Sequence, residues 1–135
     1  MKDLHIKTYD NWDLLLNEKQ SYLGRSVATA LRADAVDMND MTTDERDELF
    51  DKVYKDWDEA VSNLFQYDVP NVSCLANDYR HLHWHFVPRY ETPRNFEGVQ
   101  FVDERFGHNY SPTPKKEVPD EVITKLREAI KAEIE

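Results

Sequence analysis

The sequence His81-Leu82-His83-Trp84-His85-Phe86-Val87-Pro88-Arg89 carries histidine at three alternate positions. In an extended chain successive side chains point to opposite faces. This spacing therefore puts His81, His83 and His85 on one face and sends Leu82, Trp84 and Phe86 into a core. Imidazole is the side chain that changes charge near neutral pH, and it serves as nucleophile, proton carrier or metal ligand. A row of imidazoles beside a packed apolar row is thus a candidate for chemistry and not only a wetted strand face.

Two chemistries fit such a row. Neighbouring imidazoles on one strand face can converge on an ion such as zinc. However, His81 and His85 are four strand residues apart, roughly 13 Å, so a metal would need a further ligand from His5, His108 or a carboxylate. No second cluster with ligand spacing accompanies the row, and no metal or other cofactor is expected. The alternative is phosphoryl chemistry. The central imidazole attacks phosphorus while its neighbours contact phosphate oxygens or protonate the leaving group.

Such a row has to be held by a sheet. Residues 4–9 alternate and residues 12–16 are dense in apolar groups, which predicts two strands. A polar connection over 17–24 ends in Gly24, and a third strand follows over 26–31, giving a β-meander. Residues 34–42 read as an acidic loop. Thr42-Thr43-Asp44-Glu45 forms a capping box, and Leu49, Phe50, Val53, Trp57, Ala60, Val61, Leu64 and Phe65 then recur at helical spacing, predicting one helix over 43–66. Its other face, with Asp44, Glu45, Asp47, Glu48, Asp51, Asp56, Asp58 and Glu59, reads as a solvated acidic surface. Strands over 71–76 and 81–87, turned at Asn77-Asp78 and stopped by Pro88, make an antiparallel pair. Residues 91–116 form an irregular excursion with one short strand over 98–102. Pro119 then opens a C-terminal helix over 118–135, with Val122, Ile123, Leu126, Ile130 and Ile134 on one side. This order of elements predicts a single α+β domain over 1–135 with an antiparallel sheet.

Composition narrows the function classes. The 135 residues have 40% hydrophobic content, enough for one packed domain. Twenty-seven acidic against seventeen basic residues leave a net charge of −10. That charge repels nucleic-acid backbones and anionic membranes, so neither is an expected partner. A small phosphorylated ligand stays compatible, because a local group of His and Arg can make a positive pocket in a negative protein. A single Cys74 allows no intramolecular disulfide, and the N-terminus has no apolar signal region, so the expected location is the cytoplasm.

The order His-apolar-His-apolar-His-apolar-apolar, completed by Pro88-Arg89, resembles the signature of the histidine triad superfamily of nucleotide hydrolases and transferases. Leu14-Leu15-Leu16-Asn17, Leu23-Gly24 and the strand after them are similar to the nucleotide-binding half of that family, and the capped helix falls where the family has its long helix. The likeness covers roughly residues 6–90. The tail from Phe101 to Tyr110 resembles that of bacterial members related to dinucleoside polyphosphate hydrolases.

The resemblance implies a five-stranded antiparallel sheet, a homodimer, and a nucleotide lying over the sheet. It makes His83 the nucleophile toward the α-phosphorus, with a nucleotidyl-histidine intermediate that water hydrolyses. It puts His85 at the phosphate and leaving-group side, has His81 order the triad, and gives Asn17 to the ribose. Asn77, Arg80, Arg25 and Arg89 are the remaining candidate phosphate contacts. Three positions depart from the family pattern: Arg25 stands where many members have a histidine, Asp34 where a basic sequence often ends the strand, and Asn77-Asp78-Tyr79-Arg80 where some branches have a glycine-rich turn.

The expected function is cleavage of an α-phosphate bond in a dinucleoside polyphosphate or an adenosine phosphoramidate. The alternative is a nucleotide-binding or sensing module with little catalysis. Leu4, Ile6 and Leu16 are candidate walls for the base and equally candidates for the core; Trp12 and Trp57 read as core. Cys74 reads as a small buried apolar residue, and His108 as a surface residue.

Overall fold

The computed structural model describes residues 3–135. Three strands, β1 (His5–Thr8), β2 (Trp12–Leu16) and β3 (Ser26–Ala30), form the expected meander. The chain then crosses through a 3₁₀ turn (Met38–Asp40) to a long helix and returns as β4 (Val69–Ser73) and β5 (His83–Arg89). The strands assemble as one five-stranded sheet in the order β1-β2-β3-β5-β4, with every pairing antiparallel. This is the predicted α+β architecture.

The helix contains a change of winding. α1 (Thr43–Glu48) begins at the capping box, in which the Thr42 hydroxyl accepts from the Glu45 N–H and the Glu45 carboxylate accepts from the Thr42 N–H. A π-helical stretch (Leu49–Tyr54) follows, and α2 (Lys55–Phe65) continues to Gln66 in the left-handed conformation. The apolar stripe lies on one sheet face, where Leu49, Val53, Trp57 and Val61 are fully buried. There Trp57 meets Phe86 at 5.3 Å and Tyr67 at 5.5 Å between ring centroids. α3 (Asp120–Ile134) packs Ile123, Leu126 and Ile130 into the same core.

The acidic side of the helix is only partly the solvated surface expected from sequence. Glu45 is 3% exposed and takes two donors from Arg32. The buried Glu48 accepts from the N–H groups of Asp10 and Asn11, so it holds the β1–β2 turn. Asp56 accepts from the Tyr9 hydroxyl and Asp58 from that of Tyr67. These carboxylates are kept in the fold by donors from other elements, which a helical periodicity does not register.

Three boundaries also move. The triad strand begins at His83 and continues through Pro88 to Arg89: β3 pairs with it only as far as Phe86, so at Pro88 it has a neighbour on the β4 side alone and a missing N–H costs little. β4 correspondingly starts at Val69, and residues 74–82 form a loop. The excursion contains a hairpin, β6 (Arg94–Phe96) with β7 (Val99–Phe101), turned at Gly98. Residues 103–114 then cross the sheet face opposite the helix, where Tyr110 joins Tyr22 and Val87 in a small second core.

Candidate functional site

The sheet face away from the helix is defined by register. His85 stands opposite Val27 and Ser73, and Val27 stands opposite Leu15. One step along, His83 is opposite Thr29 and Thr29 opposite Asp13. Directly paired residues share a face. Two parallel rows therefore cross the open side, Leu15–Val27–His85–Ser73 and Asp13–Thr29–His83. Leu82 and Phe86 are fully buried toward the helix, whereas Trp84 is only half-buried, with its ring edge-on to the exposed Phe50 at 5.7 Å.

The triad is held by the backbone. His83 Nδ1 lies 2.6 Å from the carbonyl oxygen of His81. A carbonyl only accepts, so Nδ1 carries the proton and the Nε2 lone pair is available for attack. The rings of His83 and His85 meet nearly perpendicular at 4.9 Å. His81 lies before the strand, and its Nε2 donates to the Ala30 carbonyl at 2.7 Å. It is therefore not the third member of an in-line row: the chain bends between His81 and His83. Its contribution to His83 is a main-chain carbonyl. Tyr79, which the sequence reading did not single out, covers the two histidines with its ring 5.2 Å from His83 and 6.0 Å from His81.

His85 is pushed down to about 4, first by burial, then by His83 and Arg25. It is neutral across the physiological range, and its buried Nδ1 has no hydrogen-bond partner among the described residues. Arg25 has a similar orphan. The side chain is 8% exposed, its Nε is buried without a partner among the described residues, Nη1 reaches the Thr113 hydroxyl at 3.4 Å, and the guanidinium stacks 5.2 Å from the Tyr110 ring. Burial lowers its pKa from the usual guanidinium value.

The connection that presents Asn17 and Arg25 is clipped from inside. The Gln20 amide donates to the carbonyls of Asn17 and Arg25, and its oxygen accepts from the Gly24 N–H. Trp57 Nε1 donates to the Gly24 carbonyl at 3.0 Å. Gly24 has φ +95°, and a Cβ there would sit 3.0 Å from Val61 Cγ1, so glycine is required on both conformational and spatial grounds. Asn17 opens this turn, with its side-chain oxygen accepting from the Lys19 N–H at 2.8 Å.

Other candidates are placed elsewhere. Arg89 is not a free phosphate contact: it is 3% exposed and forks onto Asp103 at 2.7 and 3.0 Å, with further bonds to Asn71 and the His108 carbonyl. It joins β5 to the tail. Asn77 and Arg80 are exposed on the loop that precedes His81. Asp34 is ion-paired with Arg32 at 2.9 Å. Ile6 and Leu16 are core residues, about 1% exposed, and the apolar side chains left on the open face are Leu15 and Val27. His108 is exposed. Cys74 packs half-buried against the core, and burial pushes its thiol up. Among the described residues no group of three or more His, Cys, Asp or Glu side chains is arranged to hold a metal ion.

No family model matches the chain, and no curated protein matches it in sequence. Solved structures do match in fold. A hypothetical histidine triad nucleotide-binding protein from Sulfolobus tokodaii is 19% identical with a TM-score of 0.71, over 99% of this chain and 85% of that one. A histidine triad protein from Bradyrhizobium japonicum is 16% identical with a TM-score of 0.76, over 98% of this chain and 91% of that one. A histidine triad protein from Marinobacter aquaeolei is 15% identical with a TM-score of 0.73, over 98% and 89%.

Proposed function

We propose that this chain, which has the fold of the histidine triad proteins, is a nucleotide hydrolase or transferase that cleaves an α-phosphate bond through covalent attachment to His83. The observation that carries this is the His83–His81 contact: a backbone carbonyl fixes the proton on Nδ1 and leaves Nε2 as a nucleophile in the row with Thr29 and Asp13. Neutral His85, 4.9 Å away, is suited to hydrogen bonding a phosphate oxygen. Leu15 and Val27 offer an apolar platform for a base, and Asn17 stands at the end of β2 for a ribose hydroxyl. The substrate class for this chemistry is a dinucleoside polyphosphate or an adenosine phosphoramidate. The functional unit is a homodimer located in the cytoplasm. No helix among the described residues is long and apolar enough to cross a membrane.

In the first step Nε2 attacks the α-phosphorus and the bond to the leaving group breaks, its electron pair departing with that group. Nδ1 keeps its proton, and the resulting imidazolium is stabilised by the His81 carbonyl. Water then attacks phosphorus and gives up a proton to solvent, the phosphorus–nitrogen bond returns its pair to Nε2, and the nucleoside monophosphate leaves. The test is release of AMP from diadenosine tetraphosphate and from an adenosine phosphoramidate, with excess chelator, by wild type and His83→Ala. Turnover by wild type that vanishes in the variant supports the proposal, and equal turnover in both refutes it.

A binding or sensing module is the second reading, favoured by Arg25, whose guanidinium cannot shuttle a proton near neutral pH. It predicts tight nucleotide binding without turnover.

A further inference from the structure

Among the described residues no carboxylate pairs with the buried cation Arg25. It touches the Thr113 hydroxyl and the Tyr110 ring, and Nε has no partner among the described residues. An ionised side chain taken out of water is stable only when paired or when it meets an anion. It adjoins Ser26, whose partner on β5 is Phe86, next to His85. Its other neighbour, Thr113, lines a cavity of about 400 Å³ whose charged lining is Lys19, Lys115, Lys116 and a single acid, Glu117. In a chain of net charge −10, Arg25 and these lysines make a local concentration of positive charge, joined through Thr113.

We propose that Arg25 is the leaving-group residue of the site, and that it restricts the protein to substrates whose leaving group departs as a phosphate oxyanion, the amine of a phosphoramidate being excluded. This rests on the catalytic reading of His83. The chemistry differs between the two substrates in one proton. When Nε2 attacks a polyphosphate, the phosphorus–oxygen bond breaks and the electron pair leaves on an oxyanion of the remaining phosphate chain, which needs positive charge and no proton. When it attacks a phosphoramidate, the pair would leave on an amide nitrogen far too basic to depart unless a proton is added to it first. A guanidinium supplies charge and two-pronged hydrogen bonds but keeps its protons. His85 stays neutral, and His81 spends Nε2–H on Ala30. The leaving chain is thus held by Arg25 and directed past Thr113 toward Lys19 and Lys115.

The test combines turnover and binding. kcat/KM is measured for diadenosine tetraphosphate and for adenosine 5′-phosphoramidate with wild type, Arg25→Met, Arg25→Lys and Arg25→His, and inorganic tripolyphosphate is titrated into each by calorimetry. Wild type is expected to favour the polyphosphate by about 100-fold or more. Arg25→Met is expected to lose about tenfold or more in tripolyphosphate affinity and to narrow that preference. Arg25→Lys keeps the charge and is expected to retain part of both, which separates loss of the cation from loss of folding. Arg25→His is expected to gain on the phosphoramidate relative to the polyphosphate. A wild type that cleaves the phosphoramidate as well as the polyphosphate overturns the proposal, as does tripolyphosphate binding unchanged in a folded Arg25→Met. Absence of turnover on both substrates defeats the catalytic reading and the exclusion built on it together. Cleavage that persists in His83→Ala defeats the reading of His83 while leaving the tripolyphosphate result to decide the role of Arg25.

Discussion

The carbonyl oxygen of His81 lies 2.6 Å from Nδ1 of His83, so the residue that gives the triad its first histidine acts on the second through its main chain. Its ring is turned away to the Ala30 carbonyl. His81→Ala leaves the carbonyl in place and is expected to reduce turnover far less than His83→Ala, by about tenfold against 1,000-fold or more. Parallel kinetics on the two variants check this, and equal losses contradict it.

Arg89 and Asp103 form an ion pair whose side chains are 4% and 0% exposed. Removing one partner leaves a buried charge alone, at a cost of about 3–5 kcal/mol. Arg89→Met is therefore expected to lower Tm by roughly 10 °C, while nucleotide affinity at a temperature where it is folded changes little. A variant with unchanged Tm and weakened nucleotide binding would return Arg89 to the phosphate.

Gly24→Ala asks a Cβ to occupy φ +95° within 3.0 Å of Val61. The expected cost is about 2 kcal/mol, readable in denaturant titration. Because Arg25 follows directly, turnover is expected to fall as well. Unchanged stability would mean that the clip by Gln20 and Trp57 tolerates a different backbone.

His85 supplies a pH prediction. Its imidazole is pushed down to about 4 from the usual 6.5, so the unfolded chain takes up this proton first on acidification. Its contribution is constant above about pH 6.5 and erodes stability as pH falls from there toward 4. In His85→Gln the decline of Tm over that window is expected to be shallower than in wild type. Parallel curves would show that the ring is protonated in the native state.

Much of this fold was legible because it depends on local patterns. The capping box at Thr42, the stripe from Leu49 to Phe65 and the alternation around His83 each state their own period. The sequence did not reveal pairings between distant residues. Arg89 follows a strand-ending proline and looked available, but its partner Asp103 lies beyond a hairpin. Glu45 and Glu48 fit a solvated helix face until Arg32 and the β1–β2 turn are brought to them. Leu15 lies in the unbroken run Leu14-Leu15-Leu16, where three adjacent leucines do not state which one faces outward, so Leu16 reads as wall or core alike while Leu15 holds the open face. Tyr110 and Thr113 reach Arg25 only because the tail crosses the open face, which no periodicity signals.

The attack by His83 is tested most directly by looking for the bond it forms. Wild type is mixed with diadenosine tetraphosphate in excess chelator, quenched in alkali during turnover, digested and analysed by mass spectrometry. AMP attached to the peptide bearing His83, formed at least as fast as AMP is released and absent in His83→Ala, is the predicted result. Sustained AMP release with no adduct on His83, and undiminished release by His83→Ala, would contradict it.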